Sequence, residues 1–100
     1  MPVFIKLYKS RRNVIAVADE DLVGKKFEQG IRQLDVRESF YKGSLYEEKD
    51  ALKILELQLR EEATFNIVGK ESIALAIKAG IIQKGNMTKV KGIPFALKLL

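Results

Sequence analysis

The 100-residue chain has no cysteine and no histidine, and only two prolines. Without cysteine there can be no disulfide, no thiolate metal site and no thiol nucleophile. Without histidine the commonest general base near neutral pH and the commonest transition-metal ligand are both missing. Chemistry is left to carboxylates, hydroxyls, lysines and tyrosines. Ser39, Ser72, Thr64 and Tyr41 have no lysine or carboxylate base at a recognisable spacing. The expectation is a non-enzymatic protein with no catalytic residues, no metal and no cofactor. No apolar run approaches the roughly 18 residues of a membrane-spanning helix. Met1-Pro2-Val3-Phe4-Ile5-Lys6 lacks the features of a secretory signal. A cytoplasmic protein with no membrane partner is expected, and abundant Lys and Glu without cysteine fit a heat-tolerant one.

What is present suits one folded unit, residues 1–100, with no repeat or linker. The apolar fraction of 47% is that of a globular domain. The net charge of +5 is unevenly spread. Residues 1–62 carry 12 basic and 12 acidic side chains, whereas residues 63–100 carry six lysines against Glu71 alone. A second basic knot is Lys9-Ser10-Arg11-Arg12. Such asymmetry suggests an anionic partner.

Val3–Tyr8 and Val14–Ala18 are rich in β-branched and aromatic residues and flank a polar segment, which predicts a hairpin with Arg11 and Arg12 at its tip. Asp19-Glu20-Asp21 opens a short turn that ends at Gly24, with Asp19 as its cap. A strand pair follows, from Lys26-Phe27-Glu28 through Gly30 to Ile31–Val36, then an irregular or short helical piece over 37–42. A helix over about 47–59 carries Leu52, Leu55 and Leu59 on one stripe; Ser44-Leu45-Tyr46-Glu47 matches a capping box before it, the alternative being a later start at Glu47. Phe65–Val68 reads as a buried strand feeding a second helix near 70–79, with Ile73, Ala76 and Ile77 inward and Gly80 as its stop. Met87–Lys91 and Ile93–Leu99 form a closing strand pair, the second held to an edge or bulge by Pro94. The fold class is α+β: a single compact domain, its sheet mixed or mainly antiparallel, with an N-terminal hairpin and two packed helices. Only the Phe65–Val68 strand offers a parallel crossover.

Asp19-Glu20-Asp21-Leu22-Val23-Gly24-Lys25-Lys26-Phe27, Leu34-Asp35-Val36 and Phe40-Tyr41-Lys42-Gly43 resemble an archaeal family of unknown function. So do Asn66-Ile67-Val68-Gly69-Lys70-Glu71, Ala79-Gly80-Ile81-Ile82 and Gly92-Ile93-Pro94. It is the domain-of-unknown-function family numbered four-two-four. The resemblance spans nearly the whole chain. It implies an archaeal, cytosolic, single-domain protein with no assigned activity, and it points toward translation.

The acidic triplet Asp19-Glu20-Asp21 offers oxygens for a hard cation, but consecutive side chains diverge at a helix start and capping is preferred. Gly69-Lys70-Glu71-Ser72 lacks the upstream glycine of a phosphate loop, although Lys70 at a helix start could contact one phosphate. The favoured function is a non-catalytic binding module that contacts RNA or a ribonucleoprotein. Arg11, Arg12, Lys84, Lys89 and Lys91 would form one basic face, with stacking from Tyr8 and Tyr41. The alternative is a protein-interaction adaptor using an apolar helix face or an edge strand.

Overall fold

β-branched and aromatic residues dominate Val3–Tyr8 and Val14–Asp19, and these segments pair antiparallel as β1 and β2, with Val3 opposite Asp19 and Tyr8 opposite Val14. The structure is a computed structural model and describes residues 1–99. A 3-10 turn at Glu20–Leu22 leads into the hairpin of β3 (Lys26–Gln29) and β4 (Arg32–Asp35). Then come α1 (Glu38–Tyr41), β5 (Ser44–Tyr46), α2 (Glu48–Arg60) and β6 (Thr64–Val68). The chain closes with α3 (Lys70–Lys78), β7 (Thr88–Val90) and β8 (Ile93–Lys98). Six strands form one mixed sheet in the order β5-β1-β2-β6-β8-β7, and β3-β4 forms a separate ribbon.

Among the described residues the single parallel pair is β2 with β6, Ile15 opposite Phe65 and Ala18 opposite Val68; every other pairing is antiparallel. As expected, β6 makes the parallel contact, and the crossover that leads to it from β2 includes α2. Ile15–Ala18 are buried on both faces, which explains why β2 reads as an unbroken apolar run. On one face Val3, Ile5, Ile15, Val17, Phe65 and Ile67 pack against α2 and α3 through Leu55, Ile73 and Ala76. Leu52 and Ile77 are partly buried at the margin of this core. On the other face the β3–β4 ribbon covers Ala18, Val68 and Phe95 with Leu34. Each fully buried large side chain stabilises the fold by about 1.5–3 kcal/mol.

The architecture is the α+β one read from the sequence, with its N-terminal hairpin and two packed helices. α3 ends as expected at Gly80, whose φ of 85° allows the N–H of Ile81 to reach the carbonyl of Ala76. α2 ends in the same motif, but at Glu62 with φ 61°, where glycine would be at ease. Two expectations are corrected. Ser44 caps no helix: it lies in β5 opposite Ile5, and α2 begins after Glu47 with no side-chain cap. Nor is β8 an edge, since it lies between β6 and β7. Pro94 fits there because its carbonyl accepts from Gly69 N, so its missing N–H faces the point where β6 has already turned into α3.

Candidate functional site

Asp19 ends β2 beside the start of α3, and its carboxylate caps that helix instead of its own turn. Oδ1 accepts from Ser72 N at 2.8 Å and Ser72 Oγ at 2.7 Å, and Oδ2 accepts from Glu71 N at 3.1 Å. Asp19 makes no side-chain bond to the 3-10 turn that follows it. The reason is topological: parallel pairing brings the ends of β2 and β6 together, and the helix leaving β6 presents free N–H groups there. Gly69, at φ 107°, keeps the approach open, because a Cβ on it would overlap the Asp19 carboxylate. Asp19 and Ser72 are accordingly the two buried polar residues of the described chain.

This arrangement corrects the phosphate contact expected at Lys70. The N–H groups of Glu71 and Ser72 are already taken by an anion, and exposed Lys70 stands with Glu20, Asp21 and Glu71 around a cleft of about 660 Å³. The acidic surroundings oppose a phosphate. With Asp19 turned into α3, Asp19-Glu20-Asp21 does not converge on one point, and among the described residues no group of three or more acidic side chains is placed to hold a metal.

The five basic residues are all exposed, but they do not gather at one end of the sheet. Arg11 and Arg12 lie in the turn joining β1 to β2, at the end of the sheet where β2 and β6 begin. β8 runs antiparallel to β6 and β7 antiparallel to β8, so the Lys91-Gly92 turn lies at the opposite end. There Lys89 borders a cleft with Arg32 and Ile31, and Lys91 N donates to Gln29 Oε1 at 2.8 Å. Lys84 lies in the connection leading to the β7 edge, three strands from β2. Strand direction therefore puts Arg11 and Arg12 at one end of the sheet and Lys89 and Lys91 at the other.

Around Arg11 and Arg12 the fold gathers aromatic groups. α1 lies over the end of β1, tied down by Tyr8 Oη donating to the carbonyl of Phe40 at 2.7 Å and Lys6 Nζ to that of Ser39 at 2.9 Å. The rings of Tyr8 and Phe40 stack 5.1 Å apart, 14° from parallel, and Tyr41 meets Phe40 edge-on at 4.9 Å. Lys6 Nζ stands 5.3 Å from the centroid of the Tyr8 ring. Burial raises the pKa of the Tyr41 phenol above its ordinary value of 10.0. The β3–β4 ribbon covers the other end of this sheet face, so Tyr8, Val14, Thr64 and Asn66 are only half-buried and Leu97 is 61% exposed. Phe40 and Lys6 were not singled out from the sequence. The available signal was adjacent aromatics, Phe40-Tyr41, inside an otherwise polar segment.

A mixed six-stranded sheet with two helices on one face and a ribbon on part of the other defines an α+β module with a half-open sheet face. The family model described as "Protein of unknown function (DUF424)" matches residues 8–99, and the chain belongs to that family. The crystal structure of an uncharacterized conserved protein from Methanopyrus kandleri, an archaeon, is similar to it, with a TM-score of 0.86 at 23% identity. The match covers 97% of this chain and 90% of that one, a likeness of fold. No curated protein matches the chain.

Proposed function

We propose that the protein is a non-catalytic module that binds single-stranded segments of RNA, free or within a ribonucleoprotein, in the cytoplasm. The observation that carries this reading is the Tyr8–Phe40 stack beside the Arg11–Arg12 turn on the half-open sheet face. Unpaired bases are recognised by aromatic stacking, at about 1–3 kcal/mol per base, and phosphates by nearby cations. Lys6, Lys9, Arg11 and Arg12 supply the cations, and the second basic group at Lys89 and Lys91 takes no part. A base would stack on the Tyr8–Phe40 pair by displacing Lys6 from the Tyr8 ring.

Fluorescence anisotropy with a labelled single-stranded RNA across a salt series tests the reading. Each phosphate contact contributes roughly 0.7 to the log–log salt slope on a single strand, so Arg11→Ala with Arg12→Ala flattens it by about 1.4. Phe40→Ala weakens binding with the slope unchanged. Lys89→Ala with Lys91→Ala leaves both unchanged. An RNA affinity insensitive to Arg11, Arg12 and Phe40 refutes the proposal.

A further inference from the structure

On the helix-covered face, β5 pairs with β1 only from Val3 to Ile5, where Ser44 begins the ladder. Gly43 crosses the β1 edge so closely that a Cβ on it would overlap the carbonyl oxygen of Ile5. That carbonyl therefore points toward β5, and by the two-residue strand period the N–H and C=O of Leu7 point the same way, beyond the end of the ladder. Beside this stretch a groove of about 460 Å³ runs between the sheet and α2, within the range of about 300–1,000 Å³ of small-ligand pockets. Its apolar wall includes Ile5, Leu7, Ile15, Ile54 and Leu57, with Leu7 43% and Leu57 47% exposed. Lys42 is the charge that faces it, the ammonium of Lys6 being held on the other face at the Ser39 carbonyl, and none of the described lining residues is acidic.

We propose that this groove docks an extended peptide segment of a partner protein, with an apolar side chain against Leu7 and Leu57 and an acidic residue meeting Lys42. The free edge of Leu7 selects an extended backbone, since strand addition uses main-chain bonds for affinity and pockets for alternate side chains. Lys42 selects an acidic flank by charge complementarity. This surface lies on the opposite face of the sheet from the Tyr8–Phe40 stack, and its occupant is of another class.

The test is selection of a displayed random-decapeptide library on the whole protein, followed by affinity measurement of the enriched peptides on Leu57→Asp and Lys42→Glu. Both residues are exposed, so both variants keep the wild-type circular dichroism and melting temperature. The expected result is a family with an apolar residue flanked by Asp or Glu, bound at least tenfold more weakly by Leu57→Asp and measurably more weakly by Lys42→Glu. The Leu7 amide should shift on binding. No enriched family, a basic one, or one that binds Leu57→Asp as tightly as wild type overturns the proposal.

Discussion

Replacing Asp19 with alanine removes the one acceptor that holds the end of β2 against α3. A capping side chain is worth about 1 kcal/mol and up to about 2. Loss of the acceptor also strands Ser72 Oγ, whose residue is fully buried, and an unsatisfied buried group costs roughly 1–3 kcal/mol. The two effects together predict a loss of roughly 2–5 kcal/mol, a large part of the about 5–15 kcal/mol of a typical domain. Urea unfolding followed by circular dichroism measures it. Because Ser72 Oγ and Asp19 Oδ1 share one bond of 2.7 Å, Ser72→Ala should cost much less in the Asp19→Ala background than alone. Gly69→Ala should be comparably destabilising, since its Cβ would meet the carboxylate at a φ of 107°. A loss below about 0.5 kcal/mol for Asp19→Ala, with additive behaviour toward Ser72, would refute the capping role.

Leu55→Ala, at a fully buried position of α2, should cost about 2–5 kcal/mol in the same unfolding assay. Glu62→Gly should stabilise the protein by about 1 kcal/mol, because it relieves a left-handed residue at the end of α2 without removing a contact; a raised urea midpoint checks it. Tyr41 has a folded pKa raised above 10.0 by burial, so its neutral form is the one the fold favours. Its contribution is complete below pH 10.0 and is lost as pH rises through the folded value, so wild type should lose stability more steeply there than Tyr41→Phe.

Much of the fold was legible because its elements carry strong periods. The stripe of Leu52, Leu55 and Leu59 marked α2, and Gly80 marked the end of α3. β5 was missed because Ser44-Leu45-Tyr46 is too short for an alternation, and Ser44 with Glu47 imitates a cap. Asp19 was read as a local cap because its partner, Ser72, lies 53 residues away and meets it only through the parallel pairing of β2 with β6. The basic residues misled for a related reason. Charge is countable in a sequence, but whether Arg11 and Lys91 lie at one end of the sheet depends on the direction of four strands, which composition does not encode. The neighbourhood of Arg11 and Arg12 was half legible, through Tyr8 and Tyr41. Phe40 was hidden in a segment whose only regular structure is a four-residue helix.

The central claim is that RNA meets the end of the sheet bearing Tyr8, Phe40, Arg11 and Arg12. Amide chemical-shift mapping during titration of the isotope-labelled protein with a single-stranded RNA tests it most directly. The predicted result is a set of perturbations concentrated in Tyr8–Asn13 and Ser39–Tyr41, fading as salt is raised, with Lys89–Gly92 unmoved. Perturbations centred on Lys89–Gly92 and the β3–β4 turn, or none at RNA concentrations that saturate ordinary single-strand binders, would contradict it.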